Sequence, residues 1–144
     1  MKMRYLSTFT ASFALCMTCQ STIPIYAQDV AVSRGIFQDA DGQHRGSGTA
    51  QIVDRTSGPD VVTFENFEVT DGPALEVWLT AANDPQNASD VLQSNWISLG
   101  TLTASRGDQS YEIPEGTDLA AYGSVIIWCE QFSVLFSVAS LSGL

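Results

Sequence analysis

Ser124-Val125-Ile126-Ile127-Trp128-Cys129-Glu130-Gln131-Phe132-Ser133-Val134-Leu135-Phe136-Ser137-Val138-Ala139-Ser140-Leu141 is the stretch that decides the fold. Two runs rich in apolar and β-branched residues lie on either side of a break at 130–132. Side chains alternate across a strand, so residues two apart share a face. In the first run Val125, Ile127 and Cys129 share one face, and Ile126, Trp128 and Glu130 the other. In the second run Val134, Phe136 and Val138 share a face. Both faces of the pair are apolar, the pattern of strands covered on both sides, which predicts a central position in a sheet.

Outward from this pair, turn signals recur at short intervals: Asp41-Gly42, Gly46, Ser57-Gly58-Pro59, Asp71-Gly72-Pro73, Asn83-Asp84-Pro85, Arg106-Gly107-Asp108 and Pro114-Glu115-Gly116. Such spacing leaves room for short strands rather than long helices. Gly35 to Gln38 and Ser47 to Asp54 flank a hairpin loop, and Val61 to Phe67 is β-branched and aromatic. Leu75, Val77 and Leu79 alternate with Glu76, Trp78 and Thr80. Trp96 to Leu102 and Gln109 to Ile113 read as further strands. Asp84 to Leu92 reads as a loop or one helical turn, and Asp118 is placed to cap another turn reaching Tyr122. The sum is all-β: a small antiparallel β-sandwich or flattened barrel of about eight or more short strands.

The start of the chain differs. Lys2 and Arg4 precede an uncharged run, Tyr5 to Cys19, and Ile25-Tyr26-Ala27 leads into Gln28-Asp29. This is the layout of a secretory signal peptide cleaved after Ala27. The run is too short, and too rich in Ser and Thr, for a membrane span. The alternatives are a retained anchor or a lipid on Cys16 or Cys19, for which Leu15 and Thr18 are poor neighbours. The expected organisation is a leader at 1–27, a short N-terminal arm at 28–33 and a β domain at 34–144. The expected location is periplasmic or extracellular. No later stretch reads as a membrane span. The remaining basic residues are Arg34, Arg45, Arg55 and Arg106, against 16 acidic residues. That balance repels nucleic acid and anionic membranes and favours basic partners.

All three methionines, Cys16 and Cys19 fall in the leader, so the expected mature domain keeps Cys129, His44 and no Met. Cysteines in oxidising compartments usually pair. A lone one is either buried and inert or chemically used. A Ser–His–Asp triad would need His44, which sits in a predicted loop without a nucleophile elbow. One His and one Cys fall short of a zinc ligand set. Asp39-Ala40-Asp41-Gly42 begins like a calcium loop but lacks the later ligands, so it reads as a turn. Asn87-Ala88-Ser89 fits the glycosylation acceptor pattern. The tyrosine of Gly107-x-x-x-Tyr111-x-Ile113-Pro114 reads as hairpin packing. The charge beside Cys129 is Glu130, so any activating cation must come from afar: Arg45, Arg106 or His44.

The ordered set Gly35-x-Phe37, Gly48-x-Ala50-x-Ile52, Asn66-Phe67, Gly72-Pro73-Ala74-Leu75-x-Val77-x-Leu79, Leu99-Gly100-x-Leu102, Gly107-x-Gln109-x-Tyr111-x-Ile113-Pro114 and Tyr122-x-Ser124-Val125-x-Ile127-Trp128-Cys129-x-x-Phe132-x-Val134-x-Phe136-x-x-Ala139-x-Leu141 resembles the DM-thirteen family, the electron-transfer DM domain. The resemblance spans about residues 34–141 and implies an extracellular all-β module. In animals such modules accompany haem-binding DOMON and cytochrome domains. The family's proposed redox cysteine, a bare thiol or a ligand to a group such as haem, falls on Cys129. Ala74 stands where an acidic residue often follows Gly-Pro, and Ser137 where a glycine often follows the late phenylalanine. Both fall in expected turns or strand edges.

Two functions from different classes follow. One is an exported redox or electron-transfer accessory domain using Cys129, with a separate redox or haem protein as its partner. For haem, His44 and Cys129 are the strong iron ligands on offer. A thiol passing through sulfenic acid or a mixed disulfide needs fewer parts, but it needs access. The other is a non-catalytic cell-envelope binding or structural module with Cys129 in its core. No hydrolytic or metal-enzyme constellation is present in the sequence.

Overall fold

The alternation in 124–141 resolves into two paired strands near the middle of an antiparallel sheet. The computed structural model describes residues 28–144, so the expected leader, with Cys16 and Cys19, lies outside the described residues. Within them the strands are β1 (Val30–Asp39), β2 (Gly46–Asp54), β3 (Val61–Val69), β4 (Leu75–Thr80), β5 (Trp96–Thr101), β6 (Gln109–Glu112), β7 (Ser124–Cys129), β8 (Val134–Ser140) and the short β9 (Ser142–Gly143). Their order is β5-β4-β7-β8-β1-β2-β3-β6, with β9 on β1. All pairings are antiparallel. The described residues are therefore nearly all-β, a sandwich close to a closed barrel.

β1 opens at Val30, paired with Asp54, so it takes up most of the segment expected as an arm at 28–33. It then serves two sheets. Val30 to Ile36 pair with β2, whereas Phe37 to Asp39 pair with β8. Gly35 sits at this switch. A Cβ there would lie 2.5 Å from the Ser140 carbonyl oxygen, so the close pass of β8 needs a glycine.

Between the sheets lies the main core. Phe37, Ala50, Ile52, Val62, Phe64 and Phe67 face Leu75, Val77, Leu79, Val125, Ile127 and Cys129. Each Val, Leu, Ile or Phe of this set, once fully buried, contributes about 1.5–3 kcal/mol. A second apolar layer covers the outer face of β4, β7 and β8: Trp78, Val91, Ile126, Trp128, Leu135 and Val138. It is closed by the β4–β5 connection, where α1 (Ala88–Leu92) places Val91. Asn87 caps α1 by accepting from the Asp90 N–H, and Asp118 caps a 3₁₀ turn at Leu119–Ala121. Every residue of β7 is buried, as expected of a strand covered on both faces.

One facing expectation is corrected. Val134 and Phe136 pack on the inner side, but Val138 belongs to the outer layer. Ile127 pairs with Ser137 and Trp128 with Leu135, leaving Phe136 as an extra residue in β8. This is a β-bulge, and it inverts the alternation beyond it. No described helix is long and apolar enough to cross a membrane.

Candidate functional site at the end of β7

Cys129 is the last residue of β7 and the only cysteine among the described residues, free and buried. β4 lies beside it, with Leu75 as its cross-strand partner, and Val134 of β8 lies on the other side. Its Sγ–H donates to the Pro73 carbonyl oxygen at 3.2 Å. The next backbone N–H, of Glu130, donates to the Ala74 carbonyl at 3.0 Å. Two carbonyls of one turn thus close over the strand end. Gly72, Pro73 and Ala74 are themselves exposed, as are Glu130 to Ser133 in the facing hairpin loop. The thiol therefore sits one layer below the surface.

That cover is strained. Ala74 has φ +50° and Ser133 φ +51°, both in the left-handed region that costs a non-glycine residue about 1–2 kcal/mol. Gly72 packs directly on Phe136, where a Cβ would fall 2.6 Å from the ring. The Phe136 ring in turn meets that of His44, from the loop between β1 and β2, with ring centroids 4.2 Å apart and the planes tilted by 48°. Asp41 holds that loop. Its Oδ1 accepts from the backbone N–H groups of Gln43 and His44, and its Oδ2 lies 2.7 Å from His44 Nδ1. The His44 hydrogen bond, with the two backbone donors, holds the Asp41 carboxyl down at about 2.

The sequence named Arg45, Arg106 and His44 as distant cations for Cys129. Arg106 instead pairs with Glu68 at 2.9 Å, and with Arg45 it lines a surface cleft together with Asp39 and Asp71. His44 reaches the site only through Phe136. The donor set does not fit a haem: His44 is engaged by Asp41, Cys129 faces a carbonyl, and neither lines any of five surface clefts on the described residues. No cluster of His, Cys, Asp and Glu among the described residues is placed to hold a metal ion. Asn87, of the glycosylation pattern, spends its side-chain amide on Asp90. Tyr111 is buried against Phe64, with its hydroxyl 2.5 Å from Gln109 Oε1.

One group escaped the sequence reading. Trp96, Trp78 and Trp128 stack on the far side of the sheet from Cys129. Trp78 lies 3.9 Å from Trp96 at 9° and 4.9 Å from Trp128 at 26°. The Trp78 indole N–H donates to Glu76 Oε2 at 2.7 Å, and the Ser98 hydroxyl donates to the same oxygen. The available signal was alternation, which put Trp78 on the face opposite Val77 and Trp128 on the face opposite Cys129. The strand order that joins them is not written in either strand.

Compared with known proteins, the chain matches the family model described as electron transfer DM13 over residues 37–141. No curated protein and no solved structure matches it. The matched region includes β7 with Cys129, the turn at 72–74 that covers it and the bulged β8. The chain belongs to the electron-transfer DM13 family, whose general role is redox or electron transfer.

Proposed function

We propose that this chain is an exported electron-transfer accessory domain in which Cys129 is the redox-active group, serving a separate redox protein. The observation that carries this is the cover itself. The thiol proton ends on a carbonyl of an exposed turn, one residue before the left-handed Ala74. A strained, surface-lying turn is a segment that opens locally at low cost. Once open, Cys129 can exchange two electrons with a partner disulfide. Its sulfur attacks one partner sulfur, its proton passes to solvent, and the other partner sulfur leaves as a thiolate. Because the described domain has no second cysteine, two thiols of a reducing substrate complete the step. The first attacks the Cys129 sulfur and frees the partner as a dithiol. The second attacks the substrate sulfur and releases Cys129 as a thiolate with a substrate disulfide. Export rests on the leader pattern of residues 1–27.

The complete burial of Cys129 favours a second reading, a binding or structural module with a core cysteine. Native thiol labelling of the purified mature protein separates the two. The redox reading expects modification of Cys129 under native conditions, faster than global unfolding permits. Labelling that appears only on denaturation, with no visible absorption band, overturns it and leaves the structural module.

A further inference from the structure

All three tryptophans of the chain belong to the stack of Trp96, Trp78 and Trp128. The stack is graded in depth: Trp96 is 41% exposed, whereas Trp78 and Trp128 are 2% and 1% exposed. Indole is among the most easily oxidised side chains, and face-to-face rings let an electron vacancy pass between them. The middle ring also has a proton acceptor. Trp78 donates its indole N–H to Glu76 Oε2 at 2.7 Å, on a carboxylate held by the Ser98 hydroxyl. Simple packing of an outer face does not require a carboxylate aimed at the central indole.

We propose that Trp96, Trp78 and Trp128 form a one-electron relay, with exposed Trp96 as the contact for a high-potential one-electron oxidant and Glu76 as the proton acceptor of Trp78. The proposal rests on the electron-transfer reading of the family but not on Cys129. In the first step the oxidant gains one electron and Trp96 becomes a radical cation. Trp78 then returns an electron to Trp96. As it does so its N–H bond breaks and the proton moves to Glu76. The products are a neutral indolyl radical at Trp78 and a carboxylic acid at Glu76. One electron from a reductant and return of the proton restore the start. Trp128 extends the stack to β7.

The test is transient absorption of the purified protein after flash generation of a ruthenium(III) polypyridyl oxidant. This cation is also drawn to the acidic surface, net charge −10. Wild type should give the neutral indolyl band. Trp96→Phe should slow its appearance severalfold, and Glu76→Gln should replace it with the red-shifted band of the protonated radical cation. Trp96 is partly exposed and Glu76→Gln is close to isosteric, so both variants keep the fold, which circular dichroism checks. An unchanged rate in Trp96→Phe, or an unchanged neutral band in Glu76→Gln, overturns the proposal. Cys129→Ser should leave the indolyl signal intact, so failure of the thiol reading is read separately.

Discussion

Ala74 occupies a conformation that glycine holds without penalty, at the point where its carbonyl and that of Pro73 close over β7. Ala74→Gly should relax the closed turn by about 1 kcal/mol. If the turn is the route to Cys129, native labelling should slow about fivefold, the rate ratio matching that energy. A labelling rate that tracks only global stability would place the route elsewhere. Gly72→Ala acts in the opposite direction. Its new Cβ must displace the Phe136 ring or the turn, overpacking that costs about 1–3 kcal/mol. Labelling should accelerate, as measured beside a thermal melt.

The loop between β1 and β2 depends on one carboxylate. Asp41 has its folded value lowered from 3.8 to about 2, so its contribution to the loop is complete above the ordinary carboxylate range and is lost as pH falls towards about 2. The His44 ring contact with Phe136 should therefore persist at mildly acid pH and disappear between about 3.8 and about 2. Ring-current shifts of the Phe136 and His44 protons would follow this, and Asp41→Asn should weaken the contact at neutral pH. Elements of this kind mark how much the sequence reveals. The β7 alternation, the helical turn within 84–92, the cap at Asp118 and the turn at 72–74 are local, and each was legible. The bulge at Phe136 was not, because no glycine or proline announces it and it exists only in register with β7. The cover of Cys129 was hidden for a related reason. Pro73 lies 56 residues away, and strand pairing alone brings it there.

Across the whole molecule, β7 divides two kinds of apolar layer. Its inner face carries Cys129 into the core between the sheets, and its outer face carries Trp128 into the indole stack. β7 thus carries an oxidisable side chain on each face. The strand shared by both sheets bears on how this arrangement comes apart. β1 pairs with β2 along its first part and with β8 along its last, so neither sheet can dissolve without removing a neighbour from the other. Denaturation should accordingly be a single concerted event. Indole fluorescence, which reports the outer layer, and far-ultraviolet circular dichroism, which reports every strand, should share one midpoint and one slope in urea. Separated midpoints would mean that β1 loosens from β8 while still holding β2, and that the half of the molecule bearing Cys129 melts first.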